Sequence, residues 1–120
     1  RASHAGDVVQ AALDIQQFLQ REAEAFAAQG HPYFSARIGI HTGPIVTVIV
    51  GTKKFAYDIW GDAVNIAALL EETGEVGKVN ISESTYLLVK DVFDCIHRGA
   101  IEAKNTGKID MYFVEKRREK

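Results

Sequence analysis

Apolar residues return every three or four positions along the first quarter of the chain. From about Asp7 to Gln29 this spacing predicts one long amphipathic helix that ends at Gly30 and Pro32. We expect its apolar stripe to pack on a sheet. All but one of the positions in the stripe are apolar, and the stripe comprises Val8, Ala11, Ala12, Ile15, Phe18, Leu19, Glu22 and Phe26.

Two strand-like runs follow, Ala36–His41 and Ile45–Val50, joined by a short Gly-Pro turn. In the first run Ile38 and Ile40 alternate with small or polar residues, which is typical of a half-buried strand. The second run is β-branched and, apart from Thr47, apolar, which indicates a central strand. Because the connection is short, the two runs are predicted to pair as an antiparallel hairpin.

Helices and strands alternate along the rest of the chain. The order αββ(β)αβαββ predicts one domain, an α+β or α/β sandwich with a mixed sheet. We expect Ser82 to cap the third helix and the residues from Glu115 to Lys120 to form a fraying tail. The remaining elements are an extended run, the second helix, a short strand and two closing strands, predicted at Phe55–Trp60, Asp62–Glu72, Lys78–Ile81, Asp94–Ala103 and Lys108–Glu115.

Composition narrows the class of protein. The chain has 120 residues, a formal net charge of −2 and 47% hydrophobic residues, which fits one globular domain and excludes extensive disorder. The near-neutral charge argues against a general nucleic-acid binder. With Cys95 as the single cysteine, an internal disulfide is excluded and a reducing compartment is favoured. Since no apolar run approaches the roughly 20 residues that span a bilayer, we expect no membrane contact from this segment. The expected location is the cytoplasm, in a parent protein that could itself be attached to a membrane.

Polar side chains gather at the start of the second predicted helix. Asp62 and Asn65 share one face of that helix, and Asp58 precedes it closely enough to point into the same space. A carboxylate, an amide and a helix N-terminus together suit a polar ligand. The alternatives are that Asp62 is only an N-cap and that Asn65 is a solvated residue of the first turn.

Four lysines, Lys53, Lys54, Lys104 and Lys108, lie in Gly-containing loops at strand ends. Lysines in such loops can hold phosphates as point charges, and ordinary solubility is the alternative for each of them. The histidines show no spacing typical of a zinc site, and the sequence contains no P-loop. Residue patterns alone therefore indicate an α+β domain with a candidate phosphate site.

Several motifs in a fixed order resemble the catalytic domain of class III nucleotide cyclases. The likeness covers nearly the whole chain and is firmest over Arg37–Val114. It implies an adenylate-cyclase-like member with a ferredoxin-like α+β sandwich, in which residues 1–120 form a single partial cyclase homology domain. The motifs that carry the likeness are Arg37–Pro44, Gly51, Phe55–Ala67, Lys78–Glu83, Arg98 with Gly99, and Lys108–Val114.

The resemblance also implies a reaction and its residues. The ribose 3′-hydroxyl of ATP attacks the α-phosphate, cyclic AMP forms and pyrophosphate leaves. Asp58 matches the position that accepts a hydrogen bond from the adenine amino group, which favours ATP over GTP. Asn65 matches the residue that orients the ribose, and Lys104 matches a lysine that contacts the terminal phosphates.

The resemblance further implies partners for the chain. Sites of this family form between two cyclase domains, so the implied partner is a second such domain in a homodimer. Two divalent metal ions, Mg²⁺ or Mn²⁺, bridge the phosphates in the complete domain. This division of labour is sensible, because phosphoryl transfer depends more on metals, positioning and charge stabilisation than on protein nucleophiles.

Three departures from the family pattern bear on activity. The family's two metal-binding aspartates, and the lysine that partners the Asp58 position, lie on segments before the first helix, so we expect no metal ligand in this chain. Leu69 stands one turn after Asn65, where active members carry an arginine that stabilises charge on the α-phosphate. Thr47 and Val48 replace a small Ala-Gly pair that is common in that strand.

These observations leave three hypotheses. In the first, the chain is the C-terminal part of an adenylate-cyclase-type domain, cut at Arg1, without its N-terminal metal-binding strands and inactive in isolation. In the second, it is a degenerate cyclase homology domain that acts as a dimerisation or regulatory module, which Leu69 favours and Asp58, Asn65 and Lys104 oppose. In the third, it is an unrelated ferredoxin-like domain that binds a small ligand.

Overall fold

The computed structural model describes residues 2–30, 36–51, 62–103 and 107–118. Within those ranges three helices and five strands form one mixed sheet with helices packed on it, which confirms the predicted α+β class. The predicted extended run Phe55–Trp60 lies outside the described residues. In chain order the elements are α1 (Ala2–Ala28), β1 (Arg37–Thr42), β2 (Val46–Gly51), α2 (Asp62–Glu72), β3 (Val79–Ser82), α3 (Glu83–Val89), β4 (Phe93–Ala103) and β5 (Gly107–Arg117).

The sheet has the strand order β2-β1-β3-β5-β4. The predicted hairpin is confirmed, because β1 pairs antiparallel with β2 from Arg37 opposite Gly51 to Thr42 opposite Val46. On its other side β1 runs parallel to β3, and β5 is antiparallel to both β3 and β4. The carboxyl ends of β1 and β4 therefore lie at the same end of the sheet.

Alternation along the strands divides the core between the two faces of the sheet. Ile38 and Ile40 on β1, with Val79 and Ile81 on β3, face α1 and α3. The intervening residues of these strands face the side on which α2 lies, and there Asn80 donates from Nδ2 to the Leu70 carbonyl oxygen at 2.9 Å. The α2 face is thus separated from the main apolar core by the sheet.

The buried stripe of α1 differs from the predicted one. Ala5, Val9, Ala12 and Gln16 are buried, whereas Ile15 and Phe18 are 44% and 54% exposed. The reason is that small residues let the first half of the helix approach the sheet closely. Gln16 fixes that approach, since its Nε2 donates to the carbonyl oxygens of Ala36 at 3.0 Å and Lys78 at 2.7 Å.

One smaller expectation is wrong, since the run Ile45–Val50, expected to be a central strand, forms β2 at the edge of the sheet. Two others hold only in part. Ser82 occupies the N-cap position of α3 but makes no side-chain cap hydrogen bond, because its hydroxyl bonds to His41 instead. The expected fraying tail is exposed from Glu115 to Arg118, but β5 continues to Arg117, opposite Phe93 on β4. In the ranges that the structure describes, no helix is long and apolar enough to cross a bilayer.

Candidate functional site

Helix α2, which carries Asn65 and Leu69, lies against the backbone of the β1–β2 hairpin. A Cβ atom placed on Gly39 would stand 2.4 Å from the Glu71 nitrogen and 2.6 Å from the Ala67 oxygen. These distances are far below a van der Waals contact, so only glycine fits there. The missing side chain of Gly39 therefore lets the helix backbone rest directly on the strand.

A buried ion pair ties the end of α2 to the start of the hairpin. Arg37 Nε donates to Glu71 Oε2 at 2.9 Å and to the Glu71 carbonyl oxygen at 3.2 Å. The Glu71 side chain is fully buried and that of Arg37 is 17% exposed. The carboxylate lies over Gly51, where an added Cβ would come within 2.6 Å of Oε2. A glycine on each strand thus makes room for the helix and for its buried charge.

The predicted substrate-binding residues fall mostly outside the described ranges. Asp58 lies in the gap 52–61, and Lys104 lies in the gap 104–106. The structure places Asn65 in α2 without describing its side chain. The gap that holds Lys104 joins Ala103 to Gly107, which pair across β4 and β5 at the end of the sheet where β1 also ends. The grouping of the three residues therefore stays a prediction.

Leu69 is described and is half-buried. Its neighbours Ala67, Ala68 and Leu70 are buried, and its carbonyl oxygen accepts hydrogen bonds from Thr73 N at 2.8 Å and Thr73 Oγ1 at 2.7 Å. An aliphatic side chain at this position offers neither charge nor hydrogen bond to an anionic ligand. Leu69 therefore offers no polar contact to an anionic ligand at this position of α2.

A second polar cluster, which is not among the sites predicted from the sequence, joins the ends of β1 and β3 to α3. His41 Nδ1 lies 2.8 Å from Ser82 Oγ and 3.3 Å from Ser84 Oγ, and the hydroxyls of Thr42 and Thr85 are 2.8 Å apart. Burial lowers the pKa of His41, so its imidazole is neutral at pH 7. Because these polar atoms bond to one another, the cluster acts as a structural connection between the three elements.

That cluster had a recognisable pattern in the sequence. Thr42 and Ser82 each stand at the last position of a strand, where the periodicity of apolar residues ends. Nothing in the spacing shows that these two strands are neighbours. The side chains of His41 and Ser82, which form a hydrogen bond between them, are 41 residues apart in the sequence. In the described parts of the chain, no three His, Cys, Asp or Glu side chains lie close enough to hold a metal ion.

Comparison with families and curated proteins gives consistent matches. A family model for the adenylate and guanylate cyclase catalytic domain matches residues 1–116. The chain is 34% identical over 114 residues to an adenylate cyclase of Mycobacterium tuberculosis, covering 95% of this chain and 25% of that protein. It is 40% identical over 84 residues to adenylate cyclase type 9 of Xenopus laevis, covering 69% of this chain and 6% of that protein. The chain thus spans a quarter or less of these relatives.

Solved structures show the same fold. The adenylyl cyclase CyaB of P. aeruginosa matches with a TM-score of 0.73 and 28% identity, over 95% of this chain and 60% of that chain. A rhodopsin-guanylyl cyclase core with converted specificity, in complex with ATPalphaS, gives 0.69 and 28%, over 96% and 59%. The guanylate cyclase domain of RhGC from Catenaria anguillulae, in complex with GTP, gives 0.65 and 25%, over 96% and 61%. Structural likeness alone therefore does not distinguish a preference for adenine from one for guanine.

Proposed function

The chain belongs to the adenylate and guanylate cyclase catalytic domain family, and on that premise we propose that it is the C-terminal part of an adenylate-cyclase-type domain. The whole domain would convert ATP to cyclic AMP and pyrophosphate for intracellular signalling. The family match over residues 1–116 carries this proposal. Membership in the family contradicts the third hypothesis, an unrelated ferredoxin-like binder of a small ligand.

The proposed reaction assigns one task to each of three side chains. The carboxylate of Asp58 accepts a hydrogen bond from the adenine amino group, which selects ATP over GTP. The amide of Asn65 orients the ribose so that its 3′-hydroxyl lies in line with the α-phosphate. The ammonium of Lys104 holds the terminal phosphates as a point charge while pyrophosphate leaves. The seating of α2 on Gly39 supports this proposal, because it fixes the backbone that carries Asn65.

We assign the metal ions of the reaction to residues outside this chain. Two divalent ions, Mg²⁺ or Mn²⁺, would neutralise the phosphates in the complete domain. The described residues offer no group of three metal-binding side chains, so they do not fit such a site. The proposed source of the ligands is the remainder of the domain, in a homodimer whose two cyclase domains share each site and lie in the cytoplasm.

We expect the purified chain to form no cyclic AMP from ATP with Mn²⁺. The physical reason is that no described cluster of side chains can hold the metal that phosphoryl transfer requires. The measurement is a cyclic nucleotide assay in which a complete cyclase domain serves as the positive control. Clear production of cyclic AMP by the 120-residue chain would contradict this assignment.

Leu69 is expected to limit turnover in the complete domain. Loss of a group that stabilises transition-state charge typically costs on the order of 10²–10³ in rate. A Leu69→Arg replacement in a longer protein that includes the preceding segments should therefore raise kcat, and Leu69→Met is the matched control without charge. An equal kcat in both variants would indicate that the arginine is not what the domain lacks.

Leu69 also favours a second candidate function, a degenerate cyclase homology domain that acts as a dimerisation or regulatory module. An aliphatic residue at this half-buried position is compatible with a dimerisation module. In an enzyme, the same residue would lower the catalytic rate. Binding distinguishes the two functions. A complete domain that dimerises and does not bind a non-hydrolysable ATP analogue is the module, and one that binds ATP in preference to GTP is the adenylate cyclase.

A further inference from the structure

Two cations lie over one aromatic ring on the α2 face of the sheet. The centre of the Arg98 guanidinium is 4.2 Å from the centroid of the Phe113 ring, and Lys78 Nζ is 5.3 Å from the same centroid. Phe113 is buried on β5, between Asn80 of β3 and Ile96 of β4. Both contacts fall within the range of cation–π interactions. Two positive charges thus lie within 5.3 Å of the centre of this one ring.

The backbone of β4 directs Arg98 to this ring. His97 pairs with Tyr112 and Gly99 pairs with Met111, so Arg98 is an extra residue in a β-bulge. Gly99 has a φ of +93°, a conformation that L side chains rarely adopt. Bulges of this kind re-aim a side chain and are found next to functional sites. The backbone therefore helps to set the position of Arg98, in addition to the attraction between its guanidinium and the ring.

Neither cation has an acidic partner among the residues that the structure describes. The ion pairs there join Arg37 to Glu71, His97 to Asp110 and Arg118 to Asp94. Arg98 Nη1 is buried and makes no hydrogen bond in this part of the chain. Val79 pairs with Val114, so the next residue of β5, Glu115, lies beside Lys78. Glu115 is exposed and forms no ion pair with Lys78.

We propose that Arg98 and Lys78, mounted on Phe113, form a binding site for an oxyanion, a carboxylate or a phosphate group. A buried N–H without an acceptor costs about 1–3 kcal/mol, and an oxyanion would remove that cost. The guanidinium offers two parallel donors to such a group, and the ammonium adds a point charge. Ile96, which is 53% exposed beside Phe113, supplies an apolar border. The site uses none of the residues of the proposed cyclase reaction.

The test is an NMR titration of the purified chain with inorganic phosphate and, separately, with acetate, at constant ionic strength set by sodium chloride. We expect saturable shifts centred on the Arg98 side chain, the Phe113 ring and the Lys78 amide. Arg98→Gln should weaken the affinity about tenfold, the equivalent of one charge-assisted hydrogen bond. Lys78→Gln should weaken it about twofold to fivefold, because that cation is exposed.

Arg117→Gln is the matched control. Arg117 also lies over a ring, 5.7 Å from the centroid of Phe93, but it donates to Gln10 and is exposed. Its replacement should leave the affinity unchanged. Tighter binding of acetate would indicate that the site prefers a carboxylate, and tighter binding of phosphate that it prefers a phosphate group.

Either preference supports the site. Shifts that fail to saturate, or that spread evenly over the surface cations, would overturn it, and so would equal affinity in the Arg98 and Arg117 variants. The map of shifts in the unmodified chain decides the question even if the Arg98 variant does not fold. The titration requires no cyclase activity, so its result is independent of the proposed function.

Discussion

Gly39 is the residue whose replacement the structure predicts most sharply. Gly39→Ala would place a methyl group against the backbone of α2, which cannot move away as a flexible side chain can. We expect the free energy of unfolding to fall by about 1–3 kcal/mol, the usual cost of overpacking, measured by urea denaturation. Gly6→Ala is the control, because open space surrounds Gly6 within α1 and alanine there should add about 0.5–1 kcal/mol. Equal effects of both replacements would refute the tight seating of α2.

Cys95 is expected to react slowly with alkylating reagents. Burial of the thiol raises its pKa from 9.0 to about 11, and the Arg118 charge opposes this shift only in part. At pH 8, a pKa of about 11 in place of 9.0 lowers the thiolate fraction about 100-fold, and the thiolate is the reactive form. The rate of carbamidomethylation by iodoacetamide at pH 8 should therefore rise about 100-fold in concentrated urea. A similar rate in the folded and unfolded chain would contradict the burial of this thiol.

The placement of a residue could be predicted where a local motif determines it. It could not be predicted where a contact joins residues that are distant in the sequence. The sequence places Asn65 and Leu69 one turn apart on a helix, and the structure has both on α2. The pairing of Arg37 with Glu71 spans 34 residues, and no local pattern announces it. Ser82 was predicted as a cap because its neighbours have helical spacing, but the nearby imidazole competes for its hydroxyl.

At the scale of elements, strong local patterns were decisive. The predicted and observed bounds of α2 are the same, Asp62–Glu72, because a polar start and an apolar stripe define it. The face of α1 that packs on the sheet was harder to predict, because two overlapping sets of residues have helical spacing. Large apolar residues such as Ile15 and Phe18 favour one stripe, yet the sheet accepts a stripe that contains Ala5 and Val9. Shape at the contact therefore decided the orientation, and periodicity alone does not contain that information.

The Arg37–Glu71 ion pair is the contact between elements that should matter most for stability. Arg37→Met leaves a fully buried carboxylate without this guanidinium, so we expect the free energy of unfolding to fall by about 3 kcal/mol. Arg118→Met is the control, because the Arg118–Asp94 pair is exposed and should contribute less than about 1 kcal/mol. Equal losses in the two variants, measured by urea denaturation, would show that burial of the first pair has no energetic consequence.

At the scale of the whole molecule, the order of the strands was beyond the sequence. A hairpin follows from a short turn, so the β1–β2 pair was predictable. The parallel pairing of β1 with β3 brings Ile38 opposite Val79, although β2, α2 and three connections lie between these strands in the sequence. Only the likeness to a known family carries such information, and it did so by implying a ferredoxin-like sandwich. The chain spans about 60% of the solved cyclase structures that it resembles.

His41 connects this topology to the dependence of global stability on pH. Burial lowers its pKa in the folded chain below the ordinary value of 6.5, so the unfolded chain binds more protons between the two values. The free energy of unfolding should therefore be fully retained above pH 6.5 and fall as the pH drops through the folded pKa. His41→Asn keeps a polar atom near Ser82 and removes this titration. Urea denaturation at pH 7.5 and 5.5 should show a smaller loss for the variant. An equal loss in both proteins would mean that protonation of His41 does not drive the acid sensitivity, and that the connection between β1, β3 and α3 tolerates a charge.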